Sequence, residues 1–302
     1  MKEFNTLIEN ICKSNSIKYK LLSNNWIYVL EKDNIIRYIV GYKFDLNNHG
    51  IGSIIDDKYA LYELLKYKNV PVTEHKLLYK DYKEKDVLNF FIKYNQDVVV
   101  KTNKGTCGTG VYHIKNKDEL IKRMDNLLIN NYSISLCPFY NIKCEYRVIV
   151  LDNKVMLIYG KKKPVVVGNG KSSLKELLMT FNNNYFNDLI HFNNKLYDLN
   201  YIPKNNEIIE YNWQFNLSKG SVSFVLEDEL IKEKLSNIAL LAASTTNATF
   251  CSVDIINTVD NLFLVLEVNS GVMMDNFLLQ HKECKEQVID IYSKAIELMF
   301  KS

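Results

Sequence analysis

The clearest structural signal in this chain is the segment Phe250-Cys-Ser-Val-Asp254-Ile-Ile-Asn-Thr-Val-Asp260-Asn261-Leu-Phe-Leu-Val-Leu-Glu267-Val-Asn269. Two strand-like runs flank Asp260-Asn261, a good two-residue turn for a β-hairpin. In such a hairpin Asp254 lies opposite Glu267 and Ser252 opposite Asn269, with Cβ atoms about 5 Å apart. Because facing carboxylates repel each other and lose hydration, the pair predicts a bound cation, and its oxygen ligands suit Mg²⁺. A solvated strand edge is the alternative.

The composition is that of an ordinary globular protein. The 302 residues are 47% hydrophobic, and a chain of this length can bury a large core. The net charge is +3 and no long block carries one sign, so the sequence gives no support for a nucleic-acid or membrane partner. No apolar run approaches the roughly 18 residues of a membrane span, and the N-terminus lacks the order of a signal peptide. The six cysteines lack metal-site spacing, so we expect reduced thiols and a cytoplasmic location.

The apolar periodicity predicts α+β organisation. The predicted helices cover 2–14, 56–68, 83–94, 117–129, 228–245 and 279–299, with a short helix after Lys171. The pattern from Pro164 to Leu226 is irregular, and the Asn-rich stretch from Asn182 to Asn206 predicts loops. We expect a short N-terminal α/β unit at 1–55, a central subdomain at 56–136 and a C-terminal subdomain at 137–302.

A second constellation combines a lysine with glycines, in Val98-Val-Val-Lys101-Thr-Asn-Lys-Gly105-Thr106-Cys-Gly108-Thr-Gly110-Val-Tyr-His-Ile114. Glycines let backbone N–H groups close over phosphate oxygens, and a lysine at a strand end supplies the compensating charge. The pattern predicts a phosphate-covering flap, although an ordinary glycine-rich hairpin would look the same. A P-loop is excluded at Gly168-Asn-Gly-Lys-Ser-Ser, because Val165 occupies the place of the required first glycine.

A third element places cations on two antiparallel strands. Leu136-Cys-Pro-Phe-Tyr140 precedes the first strand, which carries Glu145 and Arg147, and the second strand ends near Lys161. Fixed guanidinium and ammonium groups can hold a triphosphate or an acyl phosphate. A charged strand face is an equally good interpretation of the spacing alone.

These elements, in this order, resemble the ATP-grasp ligases, and most closely the ATP-grasp parts of cyanophycin synthetase and of bifunctional glutathione synthetase. The resemblance covers roughly Gly50 to the C-terminus. Six blocks carry it, namely Asp57-Lys58, Lys101 with its glycine-rich flap, Glu145-Tyr-Arg147, Val166-Val-Gly-Asn-Gly-Lys171, Asn216-Leu-Ser-Lys-Gly220, and Asp254 with Glu267 and Asn269. Six ordered blocks are far more specific than any one of them.

The resemblance implies an α+β, ATP-grasp fold in which two α+β subdomains clasp ATP. It implies that ATP binds with two Mg²⁺ ions, Mn²⁺ being the alternative metal. The implied nucleotide residues are Lys58, Lys101, Gly105, Thr106, Gly108, Gly110, Cys137, Pro138, Phe139, Tyr140 and Glu145. The implied metal ligands are Asp254, Glu267 and Asn269. The implied catalytic and substrate residues are Arg147, Lys161, Asn269, Asn216, Ser218 and Gly220.

The activity that the resemblance implies is ligation of a carboxylate to an amine. A small-molecule or peptide carboxylate takes the γ-phosphoryl group of ATP, and an amine or amino acid then displaces phosphate. A phosphotransferase, a ligase with a non-amine acceptor, or a nucleotide-binding partner protein without turnover would share the nucleotide residues. The sequence does not separate these alternatives, whereas amine-dependent formation of ADP would.

Three positions depart from the family pattern. Tyr62 stands where the family has a second lysine, Lys161 stands where it has an arginine, and Asn269-Ser-Gly replaces an asparagine followed by a proline-glycine pair. Lys161 keeps the charge but loses the bidentate fork of arginine. The N-terminal unit is also short, so that either the substrate is small or a second subunit of a homodimer completes the site.

Overall fold

A computed structural model describes residues 2–105, 110–181 and 198–301. The helices are α1 (Lys2–Ser14), α2 (His49–Asp56), α3 (Lys58–Tyr67), α4 (Glu84–Lys93), α5 (Lys117–Asn130), α6 (Leu174–Phe181), α7 (Glu229–Thr246), α8 (Asp275–Gln280) and α9 (Lys285–Lys301). The strands are β1 (Lys18–Leu22), β2 (Ile27–Lys32), β3 (Ile35–Val40), β4 (Lys43–Phe44), β5 (Lys76–Leu78), β6 (Val98–Thr102), β7 (Val111–Ile114), β8 (Ile134–Pro138), β9 (Ile142–Leu151), β10 (Lys154–Lys162), β11 (Val165–Val167), β12 (Ile208–Glu210), β13 (Val222–Val225), β14 (Phe250–Thr258) and β15 (Phe263–Asn269).

The chain divides into two compact units, each built from separate segments. Unit 1 contains Met1–Glu74, Tyr146–Tyr159 and Val225–Ser302. Unit 2 contains His75–Glu145 and Gly160–Phe224. The predicted domains at 1–55, 56–136 and 137–302 are continuous stretches, and that three-part division stays a prediction.

Unit 1 holds the N-terminal elements and the acidic hairpin in one core. Strands β1 to β4 form a four-stranded antiparallel sheet, and β9 lies between β10 and β14 in a second sheet that ends with β15. Aromatic rings join these parts: Tyr292 of α9 stacks on Phe44 at 5.6 Å and meets Phe4 of α1 edge-on at 5.2 Å. Phe44 in turn meets Phe250 of β14 at 5.1 Å. The N-terminal elements therefore cover the same core as the hairpin.

The predicted helix at 56–68 is confirmed, and its cap is Asp57. The Asp57 carboxylate accepts a hydrogen bond from the Ala60 amide at 3.0 Å, so α3 begins at Lys58. Asp56, one residue earlier, ends α2 and pairs with Lys43 at 2.6 Å.

The predicted hairpin forms with the predicted register at its acidic end. Asp254 pairs with Glu267, and Ser252 pairs with Asn269. The register then shifts, so that the next pair is Ile255 with Val265 and Leu266 becomes the extra residue of a β-bulge.

The predicted two-residue turn at Asp260-Asn261 is wrong, because the bulge moves the pairing on the turn side by one residue. The Thr258 amide donates to the Leu262 carbonyl at 3.0 Å, which leaves a three-residue loop at 259–261. Asn261 closes this loop with a φ of 59°, the left-handed conformation that such loops place at their last position.

The predicted C-terminal helix at 279–299 is wrong at its start. Helix α8 ends at Gln280, a short 3-10 turn covers Lys282–Cys284, and α9 then runs to Lys301. His281 interrupts the helix with a non-helical backbone, φ −131° and ψ 71°. No glycine or proline marks this break, so the apolar pattern continued through it.

Unit 2 is built around a four-stranded antiparallel sheet in the order β5-β8-β6-β7. Val98, Val100 and Leu136 on one face of this sheet pack with Val87 of α4 and Met124 of α5 in a buried core. The opposite face of β6 carries the alternate residues, which include Lys101. The sheet therefore fixes Lys101 on the side away from the helices.

The region from Pro164 to Leu226 is more ordered than predicted. It contains the expected helix α6, but also the short strands β11, β12 and β13. Strands β11 and β12 pair with each other, and β13 lies beside β10. Of the Asn-rich stretch predicted to form loops, residues 182–197 lie outside the described residues. Among the helices that the structure describes, none has the length and apolar character needed to cross a bilayer.

Candidate nucleotide and metal sites

Lys101 is a buried lysine near the end of β6. It pairs in the sheet with Val111 and Ser135, and only 5% of its surface is exposed. Its ammonium group makes no ion pair or hydrogen bond with any residue that the structure describes. Because the aliphatic part of the side chain is held in the sheet and the ammonium group has no counterion among the described residues, this position suits an anionic ligand such as a phosphate.

The glycine-rich segment after Lys101 is described at its two ends only. Gly105 and Gly110 are placed, whereas Thr106 and Gly108 lie outside the described residues. Gly110 has a φ of 68°, a conformation that L side chains rarely adopt, so a glycine is required where the segment enters β7. The expectation that this segment is a flap stays a prediction.

The predicted adenine hinge, Cys137 to Tyr140, begins with the last two residues of β8 and has a support that the sequence did not reveal. The Phe139 amide donates to the Asp97 carbonyl at 3.0 Å, and the Phe139 ring stacks on His113 at 3.7 Å with an interplanar angle of 8°. Trp213 meets both rings edge-on, at 5.6 and 5.7 Å. The His113 Nε2 atom lies 2.5 Å from the Asp97 carboxylate.

The residue pattern did not connect His113, Asp97 or Trp213 with the hinge. The strand register indicated that His113 shares a sheet row with Val99 and Cys137. Trp213 lies more than seventy residues after the hinge in the chain, so no local pattern could connect it to the hinge.

The His113 side chain makes a pH-dependent contribution to stability. Burial lowers the pKa of His113 below its ordinary 6.5, although the hydrogen bond to Asp97 acts in the opposite direction. The unfolded chain therefore binds this proton more tightly, and the free energy of unfolding falls as the pH drops below about 6.5.

We expect His113→Gln to lose less stability than the parent chain between pH 7.5 and pH 5.5. Chemical denaturation at the two pH values measures this difference. Glutamine can still donate to Asp97, so the comparison isolates the titration. The exposed His49→Gln is the control and should follow the parent chain. An equal loss in His113→Gln would contradict the prediction.

Lys161 and Glu145 form a buried ion pair in unit 2. The Lys161 Nζ atom lies 2.5 Å from a Glu145 carboxylate oxygen, with side-chain exposures of 5% and 10%. The sequence presented Lys161 as a cation facing phosphate and Glu145 as a nucleotide residue. Since each neutralises the other, any role toward a ligand is exercised by the pair.

The segment from Asn212 to Gly220 folds into a tight polar loop. Asn216 accepts hydrogen bonds from the amide and hydroxyl of Ser218, at 2.9 and 2.8 Å, and so begins a 3-10 turn. Gly220 ends that turn with a φ of 95°, and a Cβ there would lie 2.0 Å from the Tyr211 hydroxyl. The predicted substrate residues Asn216, Ser218 and Gly220 thus also shape the loop itself.

In unit 1, Arg147 joins the acidic pair. Its Nε and one terminal nitrogen donate to the two carboxylate oxygens of Asp254, at 2.8 and 2.6 Å. The Asn269 amide donates to the same carboxylate at 3.4 Å. The Asp254 side chain is only 4% exposed, so this bidentate pair compensates its burial.

Glu267 differs from Asp254, because no residue that the structure describes forms a hydrogen bond or ion pair with its half-buried carboxylate. Asn269 donates through its nitrogen, so its amide oxygen points elsewhere. The described residues contain no group of three or more His, Cys, Asp or Glu side chains placed to hold a metal ion. The predicted Mg²⁺ ligands, two carboxylates and an amide oxygen, stay a prediction.

The predicted site residues are divided between the two units. Unit 2 contains Lys101, Gly105, Gly110, Cys137, Pro138, Phe139, Tyr140, Glu145, Lys161, Asn216, Ser218 and Gly220. Unit 1 contains Lys58, Arg147, Asp254, Glu267 and Asn269. Lys58 is the first residue of α3. The functional roles of all these residues stay predictions.

Comparison with known proteins identifies the family. The model of the RimK-like ATP-grasp domain matches residues 55–170 and 205–298, more than half of the chain. Glutathione biosynthesis bifunctional protein GshAB of Clostridium perfringens is 25% identical over 246 residues, which cover 74% of this chain and 31% of that protein. The chain thus spans about a third of the length of this relative.

Two solved structures share the fold. A bifunctional glutathione synthetase from Pasteurella multocida aligns with a TM-score of 0.59 and 16% identity over 98% of this chain and 43% of its own. A D-alanine–D-alanine ligase from Bacillus anthracis aligns with a TM-score of 0.56 and 17% identity over 86% of this chain and 69% of its own. The expected ATP-grasp fold is confirmed, and this chain belongs to the family of RimK-like ATP-grasp domains.

Proposed function

We propose that this chain is an ATP-dependent ligase that joins a carboxylate to an amine through an acyl phosphate. The observation that carries the proposal is the arrangement of Asp254, Glu267, Asn269 and Arg147 on adjacent strands. It supplies oxygen ligands for a metal beside a fixed guanidinium group. Lys101 supports the same proposal, because its ammonium group has no counterion among the described residues and suits a phosphate.

The proposed reaction has two steps. A substrate carboxylate oxygen attacks the γ-phosphorus of ATP, the bond to the bridging oxygen breaks, and ADP leaves. The nitrogen of an amine then attacks the acyl carbon, loses a proton, and expels inorganic phosphate to leave an amide or peptide bond. Magnesium, when bound, offsets charge on the phosphate oxygens.

The chain's own residues bind and orient the reactants in this proposal. Lys101 and the glycine-rich segment hold the phosphates, Lys58 adds a cation, and the hinge from Cys137 to Tyr140 holds adenine. Arg147 and the Lys161–Glu145 pair fix charge around the transferring phosphoryl group. The loop that contains Asn216, Ser218 and Gly220 faces the acyl substrate.

The names of the relatives favour ligation over simple phosphoryl transfer. One is a glutathione biosynthesis protein and another is a D-alanine–D-alanine ligase. This chain spans only part of these relatives, so we propose no more than the substrate classes: a small-molecule or peptide carboxylate and an amine or amino acid.

Phosphate release from MgATP tests the proposal, with a panel of amino acids, dipeptides and diamines and with mass spectrometry of the products. We expect release that requires both a carboxylate and an amine, and a product lighter than their sum by one water. Parallel reactions with Mn²⁺ examine the metal preference. ADP formation that needs no amine would favour a phosphotransferase or a non-amine acceptor. Tight MgATP binding without release from any pair would contradict the ligase.

A further inference from the structure

The polar loop of unit 2 buries two side-chain amides that the sequence did not single out. Asn212 is 2% exposed and Gln214 is 8% exposed. The Nδ2 atom of Asn212 and the Nε2 atom of Gln214 are both inaccessible to solvent and have no hydrogen-bond acceptor among the described residues. Buried donors are normally satisfied, so two in one short loop require an explanation.

The hydrogen bonds of the two amide oxygens fix the orientation of both groups. The Oδ1 atom of Asn212 accepts from the Gln214 backbone amide at 3.0 Å. The Oε1 atom of Gln214 lies 3.4 Å from the Lys219 ammonium nitrogen. Rotating either amide by half a turn would place a nitrogen against a donor, so the nitrogens are the groups left without a partner.

The fold of the loop accounts for the presence of the two amide oxygens, which accept hydrogen bonds, but not for the two amide nitrogens, which have no acceptor. An Asp or Ser at position 212 would make the same turn around the Gln214 amide without leaving an N–H donor. Methionine at position 214 would fill a similar volume without a polar group. Each unpaired donor instead loses its water without compensation, and this cost is recovered only when an acceptor arrives.

The surroundings indicate the chemical class of that acceptor and its place. Lys219, itself 8% exposed, lies beside Gln214 and adds positive charge. Trp213, which lies between these two residues in the sequence, packs edge-on against Phe139 of the proposed hinge at 5.6 Å. Amide donors beside an ammonium group suit an anionic oxygen group, which accepts several hydrogen bonds and donates none.

We infer that Asn212 and Gln214 bind an anionic oxygen group, a carboxylate or a phosphate, through their buried amide nitrogens. The inference rests on the proposed function for the source of this group, which is either the carboxylate substrate or the phosphoryl group that becomes inorganic phosphate. It adds to the proposed site two residues that determine which anion is accepted.

Fluorescence of Trp213 provides the test. The chain has two tryptophans, so Trp26→Phe leaves Trp213, the residue adjacent in sequence to both Asn212 and Gln214, as the single reporter. Inorganic phosphate and acetate are titrated separately into the full chain, each with and without MgADP. Saturation by phosphate would identify a phosphate subsite, and saturation by acetate would identify a carboxylate subsite.

Asn212→Asp and Gln214→Glu are the informative variants, since each replaces only the amide nitrogen by oxygen and keeps the accepting oxygen in place. We expect either change to weaken binding of the saturating anion by about tenfold to a hundredfold, which is the usual effect of losing a hydrogen bond to a charged group. MgADP affinity should stay within about twofold of that of the Trp26→Phe parent, since hinge and phosphate contacts are untouched.

The exposed Asn205→Asp, in the same unit, is the matched control for the added charge and should bind like the parent. Gln214→Met separates loss of the donor from damage to the fold, because it removes the donor without adding charge. It should keep the thermal midpoint of the parent and lose anion affinity. Unchanged anion affinity in both acidic variants, or no response of the parent to either anion, would overturn the inference. Anion binding that depends on both amides in a chain that binds no nucleotide would support the inference while refuting the proposed function.

Discussion

Glu267→Gln is expected to lower ATP turnover by about a thousandfold or more, while the thermal midpoint stays the same or rises. The loss follows from removing the carboxylate that we propose to contact the metal, since a metal's stabilisation of phosphoryl transfer amounts to several kcal/mol. Stability is preserved because no described residue depends on the Glu267 carboxylate for a hydrogen bond or ion pair. Neutralising it also removes repulsion with Asp254, its cross-strand partner.

Release of ADP from MgATP, with the substrate pair found in the panel, measures the effect. Titration of Mn²⁺ by electron paramagnetic resonance, without substrates, tests metal binding separately. Glu233→Gln makes the same change at an exposed position of α7 and should turn over ATP at the parent rate. Parent-level turnover in Glu267→Gln would refute the metal assignment.

Substitution of Asp254 is a poorer test of the metal assignment than Glu267→Gln. Its carboxylate receives two hydrogen bonds from Arg147, so replacing it leaves a partly buried guanidinium group without its partner. Breaking such a pair costs several kcal/mol of stability. Lost activity in an Asp254 variant would therefore not distinguish a missing metal ligand from a damaged fold.

Lys101→Met is expected to weaken nucleotide binding by about a hundredfold without lowering the thermal midpoint. A buried ammonium that bonds a phosphate contributes up to about 3 kcal/mol of binding, which corresponds to this change. Among the described residues Lys101 has no counterion to lose, and methionine fills a similar space without the cost of burying a charge. The nucleotide affinity should therefore fall while the thermal midpoint does not.

Calorimetric titration with a non-hydrolysable ATP analogue measures the affinity, and differential scanning calorimetry measures the midpoint. Lys122→Met removes the same charge from an exposed position of α5 and should bind the analogue like the parent. An unchanged affinity in Lys101→Met would contradict the phosphate assignment. A large fall in the midpoint would show that the ammonium has a structural role.

The hairpin shows which features local sequence determines. The pairing of Asp254 with Glu267 was predicted by placing a two-residue turn at Asp260-Asn261, and the structure has this pair. The turn was predicted wrongly, because a bulge at Leu266 and a longer loop give the same pairing at the acidic end. The bulge and the longer loop each shift the register by one residue in opposite directions, so the pair at the acidic end is unchanged. Local propensity cannot distinguish this hairpin from one with a two-residue turn and no bulge.

The candidate site shows the corresponding limit. Lys101 and the acidic hairpin can be recognised from short sequence motifs. The support of the hinge by Asp97, His113 and Trp213 depends on contacts between distant segments. The pairing of Lys161 with Glu145 depends on strand register, and the buried amides of the polar loop depend on how tightly that loop packs. These features follow from tertiary packing, which the residue pattern does not specify.

The aromatic core of unit 1 limits how this molecule can be divided. The family match starts at residue 55, yet Phe4 and Phe44, which precede it, pack against Tyr292 and Phe250. A fragment cut at the family boundary would expose these rings to water and present an adhesive apolar surface. Protease resistance should therefore extend through the N-terminal sheet, and the first fifty residues are part of the folding unit on which the acidic hairpin depends.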